Sequence, residues 1–174
     1  MLGNYTDETL SWDNQISFVI TKVQNGLRML YKIRSLTKDS RTLIAFYRPL
    51  VELYFDHCSL VWGNCSRMRA DQLQKLQNRT ARIITKADYS VRSCDILKEL
   101  CWPTLRDKWK IQMNIMMYKV YDAAVPKCFT ELFRLTSEVH NYNIRGSKFD
   151  MQLPKTKTDS LKENFCLSWG NCME

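Results

Sequence analysis

Apolar residues recur along this chain with helical spacing. Ile16, Val19, Ile20, Val23, Leu27 and Leu30 fall three or four apart, which puts them on one face of a helix. The pattern predicts a first helix over about Asp13 to Arg34, with Ser11 as its N-cap. Its outer face carries Lys22, Arg28, Lys32 and Arg34. Gly26 lies inside it and would let another element cross closely. A second helix follows a cap at Thr37 or Asp39. Leu43, Ile44, Phe46, Tyr47, Leu50, Val51, Tyr54 and Phe55 make it apolar over most of its circumference, so this helix pair should form the core. Pro49 should kink or split it. Asp56, inside it, requires a partner, because an unpaired buried carboxylate is costly. Gly63-Asn64 ends this helix.

A third helix is expected over Asp71 to Lys86. Leu73, Leu76, Thr80, Ile83 and Ile84 fall on one side of it. Lys75, Arg79, Arg82 and Lys86 stack on the other in steps of four, three and four residues. That is an amphipathic helix with a cationic ridge. Ser90 or Ser93 should cap a short helix ending at Leu100. Pro103 should sit as the first residue of a helix over about Thr104 to Tyr121. There Leu105, Trp109, Met113, Met116, Met117 and Val120 line one side, and Ile111 and Ile115 another, so the helix should be central. Past Pro126, the residues Phe129, Leu132 and Phe133 suggest a turn or two of helix. Tyr142, Ile144, Phe149, Met151 and Leu153 alternate, which permits a hairpin around Gly146-Ser147.

The fold class is therefore all-α: a helical bundle of about five or six helices, with any strand confined to residues 2–10 and 142–153. Composition agrees. The 174 residues contain only 5 Gly and 4 Pro, and 45% are hydrophobic, which excludes a disordered tail and favours long helices.

Charge sharpens the picture. Residues 1–65 hold 7 Lys/Arg against 6 Asp/Glu, residues 66–120 hold 12 against 5, and residues 121–174 hold 7 against 7. The excess lies in the segment that carries the ridge, and no acidic residue interrupts it between Asp71 and Asp88. A local cationic surface suits a polyanion, and nucleic-acid phosphates are the expected partner. Lys75, Arg79, Arg82 and Lys86 are the expected phosphate contacts. Lys32 and Arg34, outside the charged segment, should contribute much less.

Candidate chemistry adds little. The seven cysteines include no C-x-x-C pair, so neither a redox dithiol nor a zinc ribbon is indicated. Cys58/Cys65 and Cys94/Cys101 are each seven apart and read as small buried core residues. The chain has no phosphate-binding glycine loop, H-E-x-x-H or nucleophile elbow. Its one acidic doublet, Asp7-Glu8, lies in a polar segment. No catalytic residue, metal site or small-molecule substrate is expected. The opening residues show no basic-then-apolar leader, and the most apolar window, Leu43 to Trp62, is broken by Arg48, Glu52, Asp56 and His57. An intracellular protein of the nucleus or cytoplasm is expected, neither secreted nor membrane-bound.

One ordered set of residues resembles a known family. The run Tyr54-Phe55-Asp56-His57-Cys58-Ser59-Leu60-Val61-Trp62-Gly63, then Leu73-Gln74-Lys75-Leu76-Gln77-Asn78-Arg79 and Arg82-Ile83-Ile84, resembles the region downstream of the catalytic palm in reverse transcriptases of non-LTR (LINE-type) retrotransposons. Leu2-Gly3, Asp7 and Leu10-Ser11-Trp12 resemble the string that closes the palm. Ile96-Leu97, Trp102, Pro126, Tyr142-Asn143-Ile144-Arg145 and Pro154 follow in family order, and Phe165 to Asn171 is a shortened form of the family's terminal aromatic segment. Asn4 and Thr6 are polar, and His57 replaces a commoner Tyr.

The resemblance implies a remnant of the palm's last strand over 1–12, a helical thumb-like domain over 13–135 and a C-terminal extension over 136–174. It implies RNA-directed DNA polymerase ancestry and a thumb that grips an RNA–DNA or DNA duplex. The palm carboxylates lie outside these motifs, so this chain should be inactive alone and hold no cofactor, the magnesium of the intact enzyme belonging to the palm. The missing palm, or another protein, is the expected protein partner. An apolar patch at Leu10, Trp12 and Ile16 should be left bare for it. A helical protein-interaction module, or a translated relic, is the alternative.

Overall fold

The computed structural model describes residues 3–6, 8, 12–37, 39–127, 134–135 and 151–152. It is mostly helical. Two compact units divide the chain, Met1–Trp109 and Lys110–Glu174.

Helix α1 spans Asp13–Leu36. Its predicted stripe is the core face: Ile16, Val19, Val23, Leu27 and Leu30 are buried, and Ile20 packs against them half-buried. The N-cap is Trp12, with left-handed backbone at φ 60° and no side-chain cap bond; Ser11 lies outside the described residues. Trp12 and Ile16 are both buried, so the expected bare patch there is overturned. Burying Trp12 in the core outweighs a polar cap at this helix start. Leu10 lies outside the described residues.

No strand forms in residues 3–6 or 8, the described part of the expected strand remnant. The segment is tied to α1 instead. Gln15, itself buried, accepts a 2.9 Å hydrogen bond from the Tyr5 backbone N–H, and the Tyr5 ring lies 5.2 Å from that of Phe18.

Helix α2, Ser40–Tyr47, is capped by Asp39, whose carboxylate accepts from the backbone N–H groups of Arg41 and Thr42. These bonds hold its pKa below the ordinary carboxylate value. At Pro49 the helix widens into a π-helical turn, Arg48–Glu52, and continues as α3, Leu53–Asp56. A proline removes an N–H from the helical ladder, and single π turns are one way a helix accommodates such a break. Only one stripe of this element is buried: Leu43, Tyr47, Val51 and Phe55. The helix does join α1 in the core, as expected, although Phe46 and Leu53 on its other side are exposed.

Gly26 permits the close crossing expected of it. A Cβ there would collide with the carbonyl oxygen of Leu50 in the π turn. His57, in extended backbone, ends α3, and Cys58, with left-handed backbone at φ 52°, leads into a single turn, α4 (Ser59–Trp62). The helix expected to reach Gly63 is therefore broken, and the His57 carbonyl freed by the break accepts from the Trp62 indole at 2.8 Å.

Helix α5 spans Arg67–Thr85 and buries Ala70, Leu73, Gln77, Thr80, Ala81, Ile83 and Ile84. Helix α6 is Ser93–Glu99, with Arg92 rather than a serine at its N-cap. Helix α7 is Leu105–Tyr121. Thr104 caps it, its hydroxyl accepting from the Asp107 N–H at 3.2 Å, so Pro103 sits just outside rather than at the first helical position. Leu105, Trp109 and Val120 are buried, whereas Ile111 and Ile115 are each 51% exposed. That corrects the expectation of a helix enclosed on two sides.

Asp56 finds the partner its position requires. Lys108 Nζ lies 2.9 Å from Asp56 Oδ2 and 2.7 Å from Glu52 Oε1. The Trp62 and Trp109 rings meet edge to face beside this cluster at 5.4 Å. Two short strands, Arg134–Leu135 and Met151–Gln152, pair antiparallel; the first lies before the 142–153 stretch to which strand was expected to be confined, and the turn expected at Gly146-Ser147 lies outside the described residues.

Candidate nucleic-acid interface

Helix α1 packs along α5, with Leu27 and Leu30 on one side and Leu73, Ile83 and Ile84 on the other in the same core cluster. Where the buried stripes meet, the polar flanks of both helices face each other across a groove of about 970 Å³. Arg28, Tyr31, Lys32 and Arg34 line it from α1, and Arg79 and Arg82 from α5. Lys86, Asp88 and Tyr89 line it from the connection after α5, and Leu27 and Ile83 form apolar parts of its lining.

Six of these side chains are cationic and one is acidic. Asp88 uses its carboxylate locally, accepting from the Tyr89 backbone N–H at 2.7 Å and the Ser90 hydroxyl at 3.1 Å. The unit's short ion pairs at Arg69–Asp13, Arg106–Asp71 and Lys108 lie away from the groove. Like charges gathered this closely repel one another, and a bound polyanion relieves that repulsion.

The expected ridge is thus divided. Arg79 is exposed and lines the groove. Arg82 is half-buried and anchored: its guanidinium donates to the Asp88 carbonyl at 2.7 Å and to Ser93 Oγ at 3.1 Å, and lies 5.6 Å from the Tyr89 ring centroid. It contributes charge to the groove while fixing the connection after α5. Lys86 follows the end of α5 with left-handed backbone at φ 57°, which takes it off the straight line of the ridge but leaves it in the groove lining. Lys75 is exposed on α5, outside the lining.

Lys32 and Arg34, expected to stand apart, line the same groove. Charge counting by segment missed them because acidic residues elsewhere in 1–65 offset the cations of α1 in the sum. The signal available was the Arg28–Lys32 spacing of four, which places both on one helix face.

The buried-cysteine expectation is corrected in part. Cys58 and Cys65 are half-buried, whereas Cys94 and Cys101 are exposed. A spacing of seven puts two residues on one face without saying which face turns inward. Burial pushes the Cys65 thiol up to about 11. His57 Nε2 lies 3.7 Å from Cys58 Sγ, but among the described residues no group of three or more His, Cys, Asp or Glu is placed to hold a metal ion. Among them, too, no helix is long and apolar enough to cross a membrane.

Comparison of the chain with protein-family models, curated proteins and solved structures finds no match.

Proposed function

We propose that this chain is a thumb-like helical domain derived from a LINE-type reverse transcriptase, which holds the sugar–phosphate backbone of a template–primer duplex and performs no polymerisation alone. The observation that carries the nucleic-acid part is the α1–α5 groove, where two helices and the following connection gather six cations around one locally engaged carboxylate. The resemblance of Tyr54 to Gly63 and Leu73 to Ile84 to the post-palm region supports the thumb assignment. Binding of this kind is set by phosphate charge, so affinity falls steeply with salt and depends little on base sequence.

The test is fluorescence anisotropy with a labelled RNA–DNA hybrid across a salt series. Arg28→Ala with Arg79→Ala removes one cation from each wall. The reading expects weaker binding to every sequence and a log–log salt slope flatter by about 2. Arg41→Ala with Arg92→Ala removes exposed cations outside the groove and should do much less. Equal losses from both pairs would reduce the effect to diffuse attraction by a basic protein.

A second reading, a protein-interaction module, draws on a different observation. Leu53 on α3 and the adjacent Leu60 and Val61 on α4 are 45%, 39% and 52% exposed, large apolar side chains left available to a contact. This surface, rather than Trp12 and Ile16, is the candidate contact for a palm or another protein. Self-association in light scattering that Leu53→Ser with Val61→Ser abolishes would favour it.

A further inference from the structure

The groove holds two features that phosphate binding does not use. Tyr31 and Tyr89 both line it, one from α1 and one from the connection after α5, and they are 65% and 84% exposed. Large aromatic rings left this bare lose the burial that normally stabilises them. A tyrosine on a merely phosphate-binding surface brings no charge.

The Tyr89 platform is fixed in place. Its backbone N–H donates to Asp88 Oδ1 at 2.7 Å, and the preceding carbonyl, that of Asp88, accepts from Arg82 at 2.7 Å. The Arg82 guanidinium also lies against the ring, 5.6 Å from its centroid. A cation on an aromatic ring is a stable pairing, and the ring's exposure leaves the rest of its surface to a ligand. Tyr31 stands on a continuous helix, one turn from Leu27 and Arg28. Both rings therefore sit on ordered backbone, so only their side-chain torsions have to settle when something stacks on them.

We infer that the groove takes an unpaired stretch of nucleic acid, with its phosphates along the Arg28, Lys32 and Arg79 walls and bases stacked on Tyr31 and Tyr89. This rests on the nucleic-acid reading above but changes the groove's occupant from the duplex backbone to an unpaired strand. A duplex keeps its bases stacked on one another and offers rings at the groove only phosphates and sugars. An unpaired strand offers base faces as well, and a cationic groove with exposed aromatic rings is the combination that holds single strands without regard to sequence. From Gln24 to Arg34 the α1 wall runs about 15 Å at about 1.5 Å per residue, room for roughly three or four nucleotides in a partly extended strand. The occupant is thus a short single-stranded segment, such as the unpaired template beside a primed duplex.

The experiment uses the full chain and three labelled probes at one ionic strength: a twelve-nucleotide thymidine strand, the corresponding duplex, and a twelve-unit abasic strand that keeps the phosphates and lacks bases. The unmodified chain should bind the thymidine strand more tightly than the abasic strand. Tyr31→Leu with Tyr89→Leu should weaken thymidine-strand binding about five-fold or more, the lower end of what a base–aromatic stack contributes. It should leave the abasic strand and the duplex unchanged, and Tyr31→Phe with Tyr89→Phe should keep the affinity. Both positions are exposed, and unchanged circular dichroism verifies the fold of each variant. Equal binding of abasic and thymidine strands, or no loss in the leucine pair, overturns the inference. If Arg79→Ala still weakens all three probes in that case, the phosphate reading stands without the stacking. If Arg79→Ala also changes nothing, both readings fall together.

Discussion

The buried side chain of Gln77 donates a 3.0 Å hydrogen bond to the carbonyl of Pro103, twenty-six positions along the chain. The neighbouring Gln74 accepts from the Leu105 N–H at 2.9 Å and donates to Gln77 Oε1 at 2.7 Å. Two α5 glutamines thus satisfy the carbonyl before α7 and the first N–H within it. Such groups have no partner inside the helix, and this pair replaces the water they would otherwise need. Gln77→Leu removes the donor and leaves the Pro103 carbonyl and the Gln74 amide short of a partner. The expected cost is about 1–3 kcal/mol, seen as a lower urea midpoint with an unchanged m-value.

Gly26→Ala should destabilise the fold although alanine is the better helix former. The propensity gain is about 1 kcal/mol. The added methyl meets the Leu50 backbone, which cannot swing aside as a side chain would, and overpacking of this kind costs about 1–3 kcal/mol. Thermal denaturation should show a lower Tm. An unchanged or higher Tm would mean that the π turn can withdraw.

Lys108 gives a pH signature. Burial alone would lower its pKa, but the hydrogen bonds and charges of Glu52 and Asp56 outweigh burial and raise it above the ordinary 10.5. A raised lysine pKa stabilises the fold fully below the unfolded value and loses that contribution as pH climbs through the folded value. Lys108→Met should therefore be destabilised relative to the unmodified chain between pH 7 and 10, with the gap closing above about pH 10.5. Urea denaturation of both chains across that range measures the gap, and a gap that stays constant past pH 11 would contradict the account.

Arg82 and Arg79 should separate binding from stability. Arg79→Ala takes an exposed charge from the groove and should leave the Tm within about 2 °C, as surface changes usually do. Arg82→Ala removes the same charge together with two hydrogen bonds, to the Asp88 carbonyl and Ser93 Oγ, so it should weaken nucleic-acid binding and lower the Tm as well. Anisotropy and thermal melts on the same preparations make the comparison.

Thiol labelling should follow exposure. Cys94 and Cys101 are exposed, whereas the Cys65 thiol is pushed up to about 11, so almost none of it is thiolate at pH 8. Iodoacetamide followed by peptide mass spectrometry should find Cys94 and Cys101 alkylated well before Cys65.

These sites show where the sequence speaks and where it stops. The α1 stripe from Ile16 to Leu30 and the Asp39 cap are local patterns, and both stand in the structure. The need of Asp56 for a partner was also legible, but not the identity of Lys108, fifty-two residues away. The cations of α5 were visible as a ridge. Their meeting with Arg28, Lys32 and Arg34 was not, because it depends on which face of α1 crosses α5. Trp12 was expected bare because the resemblance implied a missing palm beside it, and the core takes it instead; the exposed cysteines were misjudged from spacing. Spacing groups residues on a face, and only tertiary packing decides which face turns inward.

The π turn at Arg48–Glu52 has one more consequence. Leu43, Tyr47, Val51 and Phe55 recur every four residues, and on an ordinary helix of about 3.6 residues per turn that repeat rotates by about 40° at each step. The wider turn works as a phase correction, holding all four side chains toward the core. Its value therefore lies in its residue count as much as in its side chains. From Leu43 to Phe55 an ordinary helix would run about 120° past three full turns, so without the wider turn Phe55 would face water and Asp56 would swing away from Lys108. Substitutions at the exposed Leu53 should be absorbed easily, and loss of one residue from the turn would let it relax to ordinary helix, but adding one would rotate everything downstream by about 100° and scramble the second half of the core.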